Sequence, residues 1–244
     1  MTTIVVTGGT GTLGKLVVPA LGDAKVRILS RTASGPDRFA CDLMTGEGLA
    51  PALDGADVVV HLAGGPKGDD VATANLVRAA ERAGACHLVF ISVIAADAVP
   101  LGYFRRKHEA EKLVAASEVP STTLRAAQFH GFCLNAVRAA AKLPIVPVPA
   151  INVQPVDARE VAGRIARLAL GDPAGRVRDL AGPTVYGMGE LVDKYVRARG
   201  LRRLKMPMRV PGAAGKVYRA DGNLNLDADT GTRTFEDYLA ELFG

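Results

Sequence analysis

Hydrophobic positions along the first half of the chain alternate between short continuous runs and longer segments with helical spacing. Continuous apolar runs are typical of parallel strands that are covered on both faces of a sheet. Strands are therefore predicted at residues 4–6, 25–30, 39–43, 57–65, 87–92 and 122–127, and a further short strand is predicted near 177–181.

Apolar residues at three- and four-residue intervals predict helices between these strands. The clearest helix covers residues 69–83, because Gly84 follows it at the position of a left-handed helix cap. Others are predicted after Gly14 and at residues 45–53, 103–117, 157–170, 189–199 and 234–243. Strands that alternate with helices indicate a parallel sheet, so the sequence predicts an α/β fold with a Rossmann-type, doubly wound parallel sheet.

A glycine-rich turn joins the first predicted strand to the first predicted helix. Its pattern is T-G-x-x-G-x-x-G, with an overlapping G-x-G-x-x-G. Glycine lets backbone amides approach a ligand closely, and the helix that follows directs its positive end toward a pyrophosphate. A turn that binds nothing is the alternative, but a position directly after a strand is what a dinucleotide site requires. The predicted cofactor contacts are Gly8, Thr10, Gly11, Thr12, Leu13 and Gly14.

The end of the second predicted strand carries Ser30 and Arg31 and no acid. A site selective for NAD normally has an acid there for the ribose 2′-hydroxyl, whereas an arginine accommodates the 2′-phosphate of NADP. Arg31 therefore favours NADP(H), and Arg38 is a weaker second candidate for the same contact. The alternative is that Arg31 is a surface arginine in a loop and does not contact the cofactor. Further cofactor contacts are predicted at Asp42, near the adenine, and at Leu43, Ala63 and Gly64.

The composition is that of an ordinary globular protein, with 48% hydrophobic and 23% charged residues among 244. The formal charge of +5 is compatible with a nucleic-acid partner, but basic residues are interleaved with acids. The densest basic cluster, residues 197–205, contains no aromatic residue, so we expect no nucleic-acid partner.

No apolar run approaches the length of a membrane span, and the N-terminus shows no charged leader or signal core. We therefore expect a cytoplasmic protein with no membrane partner. Cys41, Cys86 and Cys133 are widely spaced and outside any metal-binding pattern, so they are interpreted as buried free thiols with no metal.

A candidate proton donor and a cation lie at the start of the helix predicted at 103–117. Tyr103 and Lys107 are four positions apart and share one helix face. The ammonium is expected to stabilise the phenolate and to bring the pKa of Tyr103 closer to neutrality, for proton exchange with a carbonyl or alcohol. Chance pairing on an exposed helix is the alternative. Ser92, at the carboxyl end of its strand, is a candidate hydrogen-bond donor, and His61 is interpreted as a hydrogen-bonded core residue.

Together these motifs resemble the atypical short-chain dehydrogenase/reductases, in the branch of NmrA-like, single-domain NAD(P)-binding proteins. The resemblance covers essentially the whole chain and rests on Thr7-Gly8-x-x-Gly11-x-x-Gly14, Leu29-Ser30-Arg31, His61-Leu62-Ala63-Gly64, Ile91-Ser92, Tyr103-x-x-x-Lys107 and residues 123–130. It implies a Rossmann domain that binds NADP(H). It also implies catalytic roles: Tyr103 donates the proton, Lys107 holds the nicotinamide ribose and Ser92 steadies the substrate oxygen.

The C-terminal part is predicted to form a small substrate-binding lobe within one NAD(P)-binding domain, residues 1–244, from residues of about 130–156 and 183–244. Prolines between residues 144 and 155 interrupt helical continuity, and the apolar residues among them predict a largely apolar pocket. Residues 206–212 are interpreted as an apolar loop. By the resemblance, Asp157 anchors the lobe and is not a catalyst.

Four residues after the strand predicted at 122–127 are candidates for the nicotinamide end of the site. Gln128 and Phe129 are predicted to contact the cofactor, and Phe129 covers the nicotinamide ring in this interpretation. His130 and Phe132 are predicted to contact the substrate, with a purely structural role as the alternative for His130.

Two functions of different classes remain. The first is an NADPH-dependent oxidoreductase that reduces a small, largely apolar carbonyl or quinone by hydride transfer. The alternative, implied by NmrA-like relatives, is a non-catalytic regulator that senses NADP(H). Tyr103 and Lys107 favour the reductase, because a sensor needs no proton donor beside the nicotinamide. We expect a monomer or homodimer with a small-molecule substrate.

Overall fold

The chain folds into two units in the computed structural model, which describes residues 2–32, 35, 37–65 and 67–244. The first unit contains the residues up to 92, together with 102–125 and 161–177. The second unit contains residues 93–101, 126–160 and 178–244. The chain therefore passes repeatedly from one unit to the other.

The strands carry the labels β1 to β13 in chain order. They are β1 (Thr3–Thr7), β2 (Lys25–Ser30), β3 (Arg38–Ala40), β4 (Val58–His61), β5 (His87–Val93), β6 (Ser121–Ala126), β7 (Ile145–Pro149), β8 (Asn152–Val153), β9 (Gly175–Arg176), β10 (Leu180–Ala181), β11 (Tyr186–Gly187), β12 (Leu204–Met208) and β13 (Asp229–Thr230).

The helices carry the labels α1 to α9. They are α1 (Gly14–Ala20), α2 (Leu49–Leu53), α3 (Asp69–Ala83), α4 (Gly102–Ala115), α5 (His130–Ala140), α6 (Ala158–Ala169), α7 (Met188–Ala198), α8 (Gly212–Arg219) and α9 (Phe235–Phe243).

The sheet of the first unit has the strand order β3-β2-β1-β4-β5-β6, with β9 beside β6. Parallel pairing joins β1 to both β2 and β4, β2 to β3, and β4 to β5. The chain order reverses between β1 and β4, and open α/β sheets bind ligands at the carboxyl ends of such strands. The register places Thr7 opposite Leu29 and His61, and His61 opposite Phe90, so these carboxyl ends are level at one edge.

The core of the first unit confirms the prediction that its central strands are buried on both faces. Every residue of β1, β4 and β5 is buried. Val5, Val59 and Phe90 share one apolar cluster with Leu76 of α3 and Ala110 of α4. Because helices cover the strands, only the strand ends and the loops after them are left to contact a ligand.

The helix predicted at 45–53 is wrong in its first half, because α2 begins only at Leu49. Gly46 and Gly48 have φ values of 82° and 76°, in the left-handed region that ends or interrupts a right-handed helix. The backbone instead turns so that the amide of Asp42 donates to the Glu47 carbonyl, 3.0 Å away. By contrast, α3 covers the predicted residues, and Gly84 caps it with a φ of 68°.

The second unit is built from short strands and helices around its own apolar core. Strands β10 and β13 pair in parallel, and Leu180 of β10 lies opposite Ala126. Strands β8 and β11 pair antiparallel, and β7 and β12 pair in parallel. The core contains Leu134 of α5, Leu191 of α7 and Phe235 of α9.

Several elements of the second unit were not predicted. Residues 206–208 were interpreted as loop, but they lie in β12, where they pair with residues 147–149 of β7. Helix α8 likewise begins at Gly212, where a loop was expected. Helix α5 was not predicted, although four of its residues are buried.

The fold class is confirmed as an α/β, Rossmann-type sheet with flanking helices. Within the described residues, no helix is both long enough and apolar enough to span a membrane. Burial raises the pKa of Cys41 to about 11 and of Cys133 to about 12, as expected for inert buried thiols. The prediction is wrong for Cys86, which is exposed.

Candidate functional site

The glycine turn lies directly against the segment that follows β4. Gly8 has a φ of 68°, and a Cβ at this position would lie 2.6 Å from the amide nitrogen of Ala63. A Cβ at Gly14 would lie 2.2 Å from the Gly8 carbonyl oxygen. Both glycines are therefore required by close backbone contact, as in loops that admit a pyrophosphate.

The outer side of the same turn offers free backbone donors. Thr10, Gly11 and Thr12 are exposed, and α1 begins immediately afterwards at Gly14. Among the described residues, the amides of Thr12 and Leu13 have no hydrogen-bond acceptor. Unpaired amides at the positive end of a helix fit the phosphates of a dinucleotide.

The residues predicted to contact the adenosine half lie at the same carboxyl edge. Arg31 is exposed and directly follows β2. The Cys41 amide donates to the Ser30 carbonyl at 2.9 Å, which places Asp42 beside the end of β2. The Asn75 side chain donates to the Leu43 carbonyl at 2.9 Å and holds this loop on α3. Arg31 and Asp42 thus lie at the carboxyl end of β2, which pairs with β1, the strand that leads into the glycine turn.

Lys107 is the buried centre of the other half of the site. It is 4% exposed, and its Nζ donates to the Ile91 carbonyl at 3.2 Å. The same Nζ lies 3.0 Å from Oδ2 of Asp69 and 4.8 Å from the centre of the Phe90 ring. A Cβ at Gly64 would lie 3.0 Å from this Nζ, so the ammonium packs closely against the backbone of Gly64.

These contacts join most of the predicted first-unit residues into one site. The glycine turn touches Ala63, and the next residue, Gly64, lies over Lys107. Lys107 contacts the carbonyl of Ile91, the residue before Ser92, and Tyr103 lies one helical turn before Lys107. Ser92 is 5% exposed, and its Oγ has no hydrogen-bond partner among the described residues. A buried hydroxyl without a partner is suited to hydrogen-bond a bound molecule.

The expected effect of Lys107 on Tyr103 is wrong in direction. Tyr103 is 39% exposed, and the partial burial of its ring raises the pKa of the phenol, with a smaller contribution in the same direction from the negative charge of Asp69. The Lys107 charge, which was expected to lower this pKa, is paired with the Asp69 carboxylate 3.0 Å away. The phenol therefore stays protonated at neutral pH, which suits a proton donor and not a base.

A hydrogen-bonded relay beneath the site was not predicted from the sequence. The Ala63 amide donates to Thr7 Oγ1 at 3.2 Å, and Thr7 Oγ1 lies 2.7 Å from Nδ1 of His61. His61 Nε2 lies 3.1 Å from Thr73 Oγ1, and the Thr73 hydroxyl donates to the Asp69 carbonyl at 2.7 Å. The Thr73 hydroxyl has one hydrogen, which it donates to that carbonyl. The hydrogen between Thr73 and His61 must therefore come from His61, so His61 is protonated on Nε2.

His61 is therefore a neutral structural residue, in agreement with its interpretation from the sequence. Burial, with a smaller contribution from the Lys107 charge, lowers the pKa of His61 to about 3. Its ring stacks on Phe90 with the centroids 5.5 Å apart. It orients Thr7 and Thr73 and takes no proton at neutral pH.

The sequence matches the family model described as NAD(P)H-binding over residues 8–131, just over half of the chain. The chain belongs to this NAD(P)H-binding family. The matched region includes the glycine turn, Arg31, Gly64, Tyr103 and Lys107, so the prediction of a nicotinamide dinucleotide cofactor is confirmed. A comparison with curated protein sequences finds no match.

Solved structures with the same fold come from several enzymes. The NADPH-dependent quinone oxidoreductase of Escherichia coli is 21% identical, with 99% of this chain and 100% of that chain covered and a TM-score of 0.82. The triphenylmethane reductase of Citrobacter sp., complexed with NADP(H), is 21% identical, with 99% and 88% covered and a TM-score of 0.74. A nucleoside-diphosphate-sugar epimerase of Staphylococcus aureus is 21% identical, with 98% and 99% covered and a TM-score of 0.80.

At this identity the structural likeness shows a shared fold. The family match adds that the chain belongs to an NAD(P)H-binding family. The neighbours include both oxidoreductases and an epimerase, so the fold alone leaves the reaction to be argued from the site.

The second unit of this NAD(P)H-binding chain holds the four residues predicted for the nicotinamide end. Gln128 and Phe129 are half-buried at the start of α5, and Phe132 is 66% exposed. His130 is 1% exposed, and its Nε2 donates to the Arg233 carbonyl at 3.1 Å. Its ring also lies 5.5 Å from that of Tyr238. These contacts favour the structural alternative for His130.

Asp157 ties α9 to the remainder of the second unit. Its carboxylate accepts from Arg159 at 2.7 Å and from Arg233 at 2.8 Å, and both arginines also bind Glu241 of α9. Burial opposes the charged form, but the hydrogen bonds and charges of the arginines lower the pKa of Asp157. A buried, doubly paired carboxylate fits the anchoring role that the resemblance implies.

A cavity of about 340 Å³ also lies in the second unit. Its apolar walls include Val148, Ile151, Met188 and Pro207. The sequence predicted that the segment around residues 145–153 would line an apolar pocket, and Val148 and Ile151 belong to that segment.

Proposed function

We propose that this chain is an NADPH-dependent reductase of a small, largely apolar carbonyl or quinone. The observation that carries the proposal is the position of the Lys107 ammonium. It packs under Gly64 beside the cofactor turn, and it contacts the carbonyl next to Ser92. A cation and the strand end that carries a free hydroxyl therefore lie beside the segment that packs on the cofactor turn, and Tyr103 precedes the cation by one helical turn.

The residues present fit a bound dinucleotide, because the glycine turn is a cradle that a Cβ would fill and two amides there are unpaired. When bound, NADPH supplies a hydride for the substrate carbon. Tyr103 donates its phenolic proton to the substrate oxygen, and the Ser92 hydroxyl hydrogen-bonds the same oxygen. Lys107 holds the nicotinamide ribose, with its charge balanced by Asp69.

The proposed substrate class has two supports. The cavity of the second unit has a largely apolar wall, which also includes Asn152, Arg219 and Asp221, and a pocket of this kind suits a small, mainly apolar molecule. The Escherichia coli and Citrobacter neighbours act on a quinone and on triphenylmethane compounds, as their names state. Such substrates can accept a hydride although most of their surface makes no hydrogen bonds to the protein.

The proposed choice of NADPH over NADH rests on Arg31. Replacing Arg31 with alanine should weaken NADPH binding roughly 10- to 100-fold, because a charged hydrogen bond to the 2′-phosphate is lost. NADH affinity should change little, since NADH lacks that phosphate. Fluorescence titration with both cofactors measures this, with Arg82→Ala as a control at an exposed position in the last turn of α3. Equal losses for both cofactors would refute the role of Arg31.

The reductase proposal is tested by following NADPH oxidation with a panel of quinones and carbonyl compounds. We expect turnover in the wild-type protein and a fall in kcat of about 100-fold or more in Tyr103→Phe, the usual scale for losing a proton donor. Tyr195→Phe is the matched control, because Tyr195 lies in the core of the second unit.

Two results would contradict the proposal. Unchanged turnover in Tyr103→Phe would remove the phenol from the mechanism. Tight NADPH binding with no turnover of any compound would favour the non-catalytic NADP(H) sensor, which requires only the cofactor turn.

A further inference from the structure

The small parallel sheet formed by β7 and β12 has one largely exposed face that consists of apolar side chains. Side chains alternate between the two sides of a strand, so residues paired in register and their second neighbours share a side. The pairs on this side, termed the apolar face below, are Ile145 with Leu204, Pro147 with Met206 and Pro149 with Met208. Leu204 is 70% exposed, Met206 50% and Ile145 49%.

The opposite side of the same two strands is occupied by the second unit itself. Val146 is fully buried and belongs to the same apolar cluster as Leu191 of α7. Lys205 forms an ion pair with Asp193, also on α7. The sheet therefore packs on its own core with one side, and its apolar face points outward.

The composition of the apolar face indicates what kind of surface it binds. Single apolar residues are common on protein surfaces, whereas a contiguous set marks an interaction surface. None of its six side chains carries a hydroxyl, an amide or a charge. A specific protein interface forms about one hydrogen bond per 100–200 Å², but lipid acyl chains offer none. The face therefore favours lipid over a protein partner.

The ends of the two strands carry cations. Lys142 and Arg202 are exposed shortly before β7 and β12, and Arg209 is exposed directly after β12. None of the three forms an ion pair with a described residue. Because the strands are parallel, Lys142 and Arg202 lie at the same end of the sheet. Residues 194–220, which include β12, contain nine lysines and arginines and no aspartate or glutamate.

An apolar surface flanked by cations is typical of proteins that lie on anionic membranes. Two copies of the chain meeting face to face would bring their unpaired cations together, which opposes such a dimer. We propose that the apolar face is a docking surface for an anionic phospholipid bilayer. Leu204 and Met206 enter the acyl chains, and Lys142, Arg202 and Arg209 lie near the phosphates.

From the sequence, no membrane partner was expected, because no apolar run is long enough to span a bilayer. Docking on a bilayer needs no such run. The apolar face is built from alternate residues of two strands that are far apart in the chain, so it becomes visible only when β7 and β12 pair.

The first test is cosedimentation with vesicles made of equal parts of phosphatidylcholine and phosphatidylglycerol. We expect binding that weakens at high salt and is much weaker with phosphatidylcholine alone. The triple variant Lys142→Gln, Arg202→Gln and Arg209→Gln should lose about 100-fold in affinity, since each cation near an anionic surface contributes about fivefold.

A second triple variant controls for net charge. Lys25→Gln, Arg82→Gln and Arg167→Gln remove the same charge from exposed positions of the first unit. This variant should bind anionic vesicles nearly as tightly as the wild type. Equal losses in the two triple variants would overturn the proposal, because net charge and not the apolar face would then determine binding.

The apolar contribution is tested with serine. Leu204→Ser combined with Met206→Ser should weaken vesicle binding at least about 10-fold, because apolar area no longer leaves water. The matched control is Leu226→Ser with Leu242→Ser, which lie outside the β7–β12 sheet and are 71% and 49% exposed. That variant should bind as the wild type does. All four side chains are exposed, so none of these changes disturbs the core.

A fluorescence measurement reports whether the apolar face itself enters the lipid. The chain contains no tryptophan, so Met206→Trp supplies a single reporter on the face and Leu226→Trp a matched reporter elsewhere. In anionic vesicles with brominated acyl chains, the emission of Met206→Trp should be quenched and that of Leu226→Trp should not.

Two further results would overturn the proposal. One is a wild-type protein that does not bind anionic vesicles, and the other is bound Met206→Trp that is not quenched. If vesicles are not bound and sedimentation velocity shows a dimer that Leu204→Ser with Met206→Ser dissociates, a second copy occupies the face instead. The measurements use neither NADPH nor a substrate, so their outcome is independent of the reductase proposal.

Discussion

Replacing Gly14 with alanine is expected to weaken NADPH binding at least about 100-fold, the effect of displacing a backbone that must fit closely around phosphates. The new Cβ would lie 2.2 Å from the Gly8 carbonyl oxygen and 2.4 Å from Gly9 Cα. Both are backbone atoms, so the turn itself has to move and the free amides beside it move with it. Fluorescence titration with NADPH measures the loss.

Gly163→Ala is the matched control for this variant. Gly163 lies inside α6, and its Cβ would come no closer than 3.7 Å to the end of the Arg167 side chain. Alanine there should leave NADPH affinity unchanged and stabilise the protein by about 0.5–1 kcal/mol, because glycine is a poor residue inside a helix. Unchanged affinity in Gly14→Ala would show that the turn does not hold the cofactor.

Replacing Lys107 with methionine is expected to lower the free energy of unfolding by about 3–5 kcal/mol, the usual cost of leaving one member of a buried ion pair unpaired. Asp69 has no other cation within the contacts described for its carboxylate, and it is 2% exposed. Urea denaturation of the variant measures this cost.

Two further variants identify the ion pair as the cause. Adding Asp69→Asn to Lys107→Met should recover most of the lost stability, because the buried charge is gone. Lys112→Met removes a lysine from the same helix, where it pairs with Glu109 at 2.9 Å on the surface. That change should cost no more than about 1 kcal/mol, because exposed ion pairs contribute little. Equal costs at both lysines would contradict the buried pair.

The parts of the fold that the sequence predicts are those whose pattern is local. The central strands are buried on both faces, so each appears as a continuous apolar run, and α3 ends at a glycine with a left-handed backbone. Strand β12 has no such signal. All five of its residues are exposed, it contains Pro207, and its pairing with β7 depends on residues far away in the chain.

The residues of the candidate site also divide into those with a local sequence pattern and those without one. The glycine turn and the Tyr103–Lys107 pair are recognisable because a fixed spacing places their atoms together. Asp69 was missed because an acid at the start of a helix already has an ordinary explanation, and its partner lies on another helix. The pKa of Tyr103 was predicted in the wrong direction because it depends on the burial of the phenol and on the Asp69 charge, and the spacing of Tyr103 and Lys107 shows neither.

The relay from Thr7 through His61 and Thr73 to Asp69 has a consequence for the thermodynamics of cofactor binding. Each donor in it has one acceptor, so the glycine turn and Lys107 are oriented when the first unit folds. The conformational entropy that a loose site would lose on binding has then already been lost on folding. Affinity and stability are linked by mass action, so a substitution deep in the relay would weaken cofactor binding without touching the cofactor.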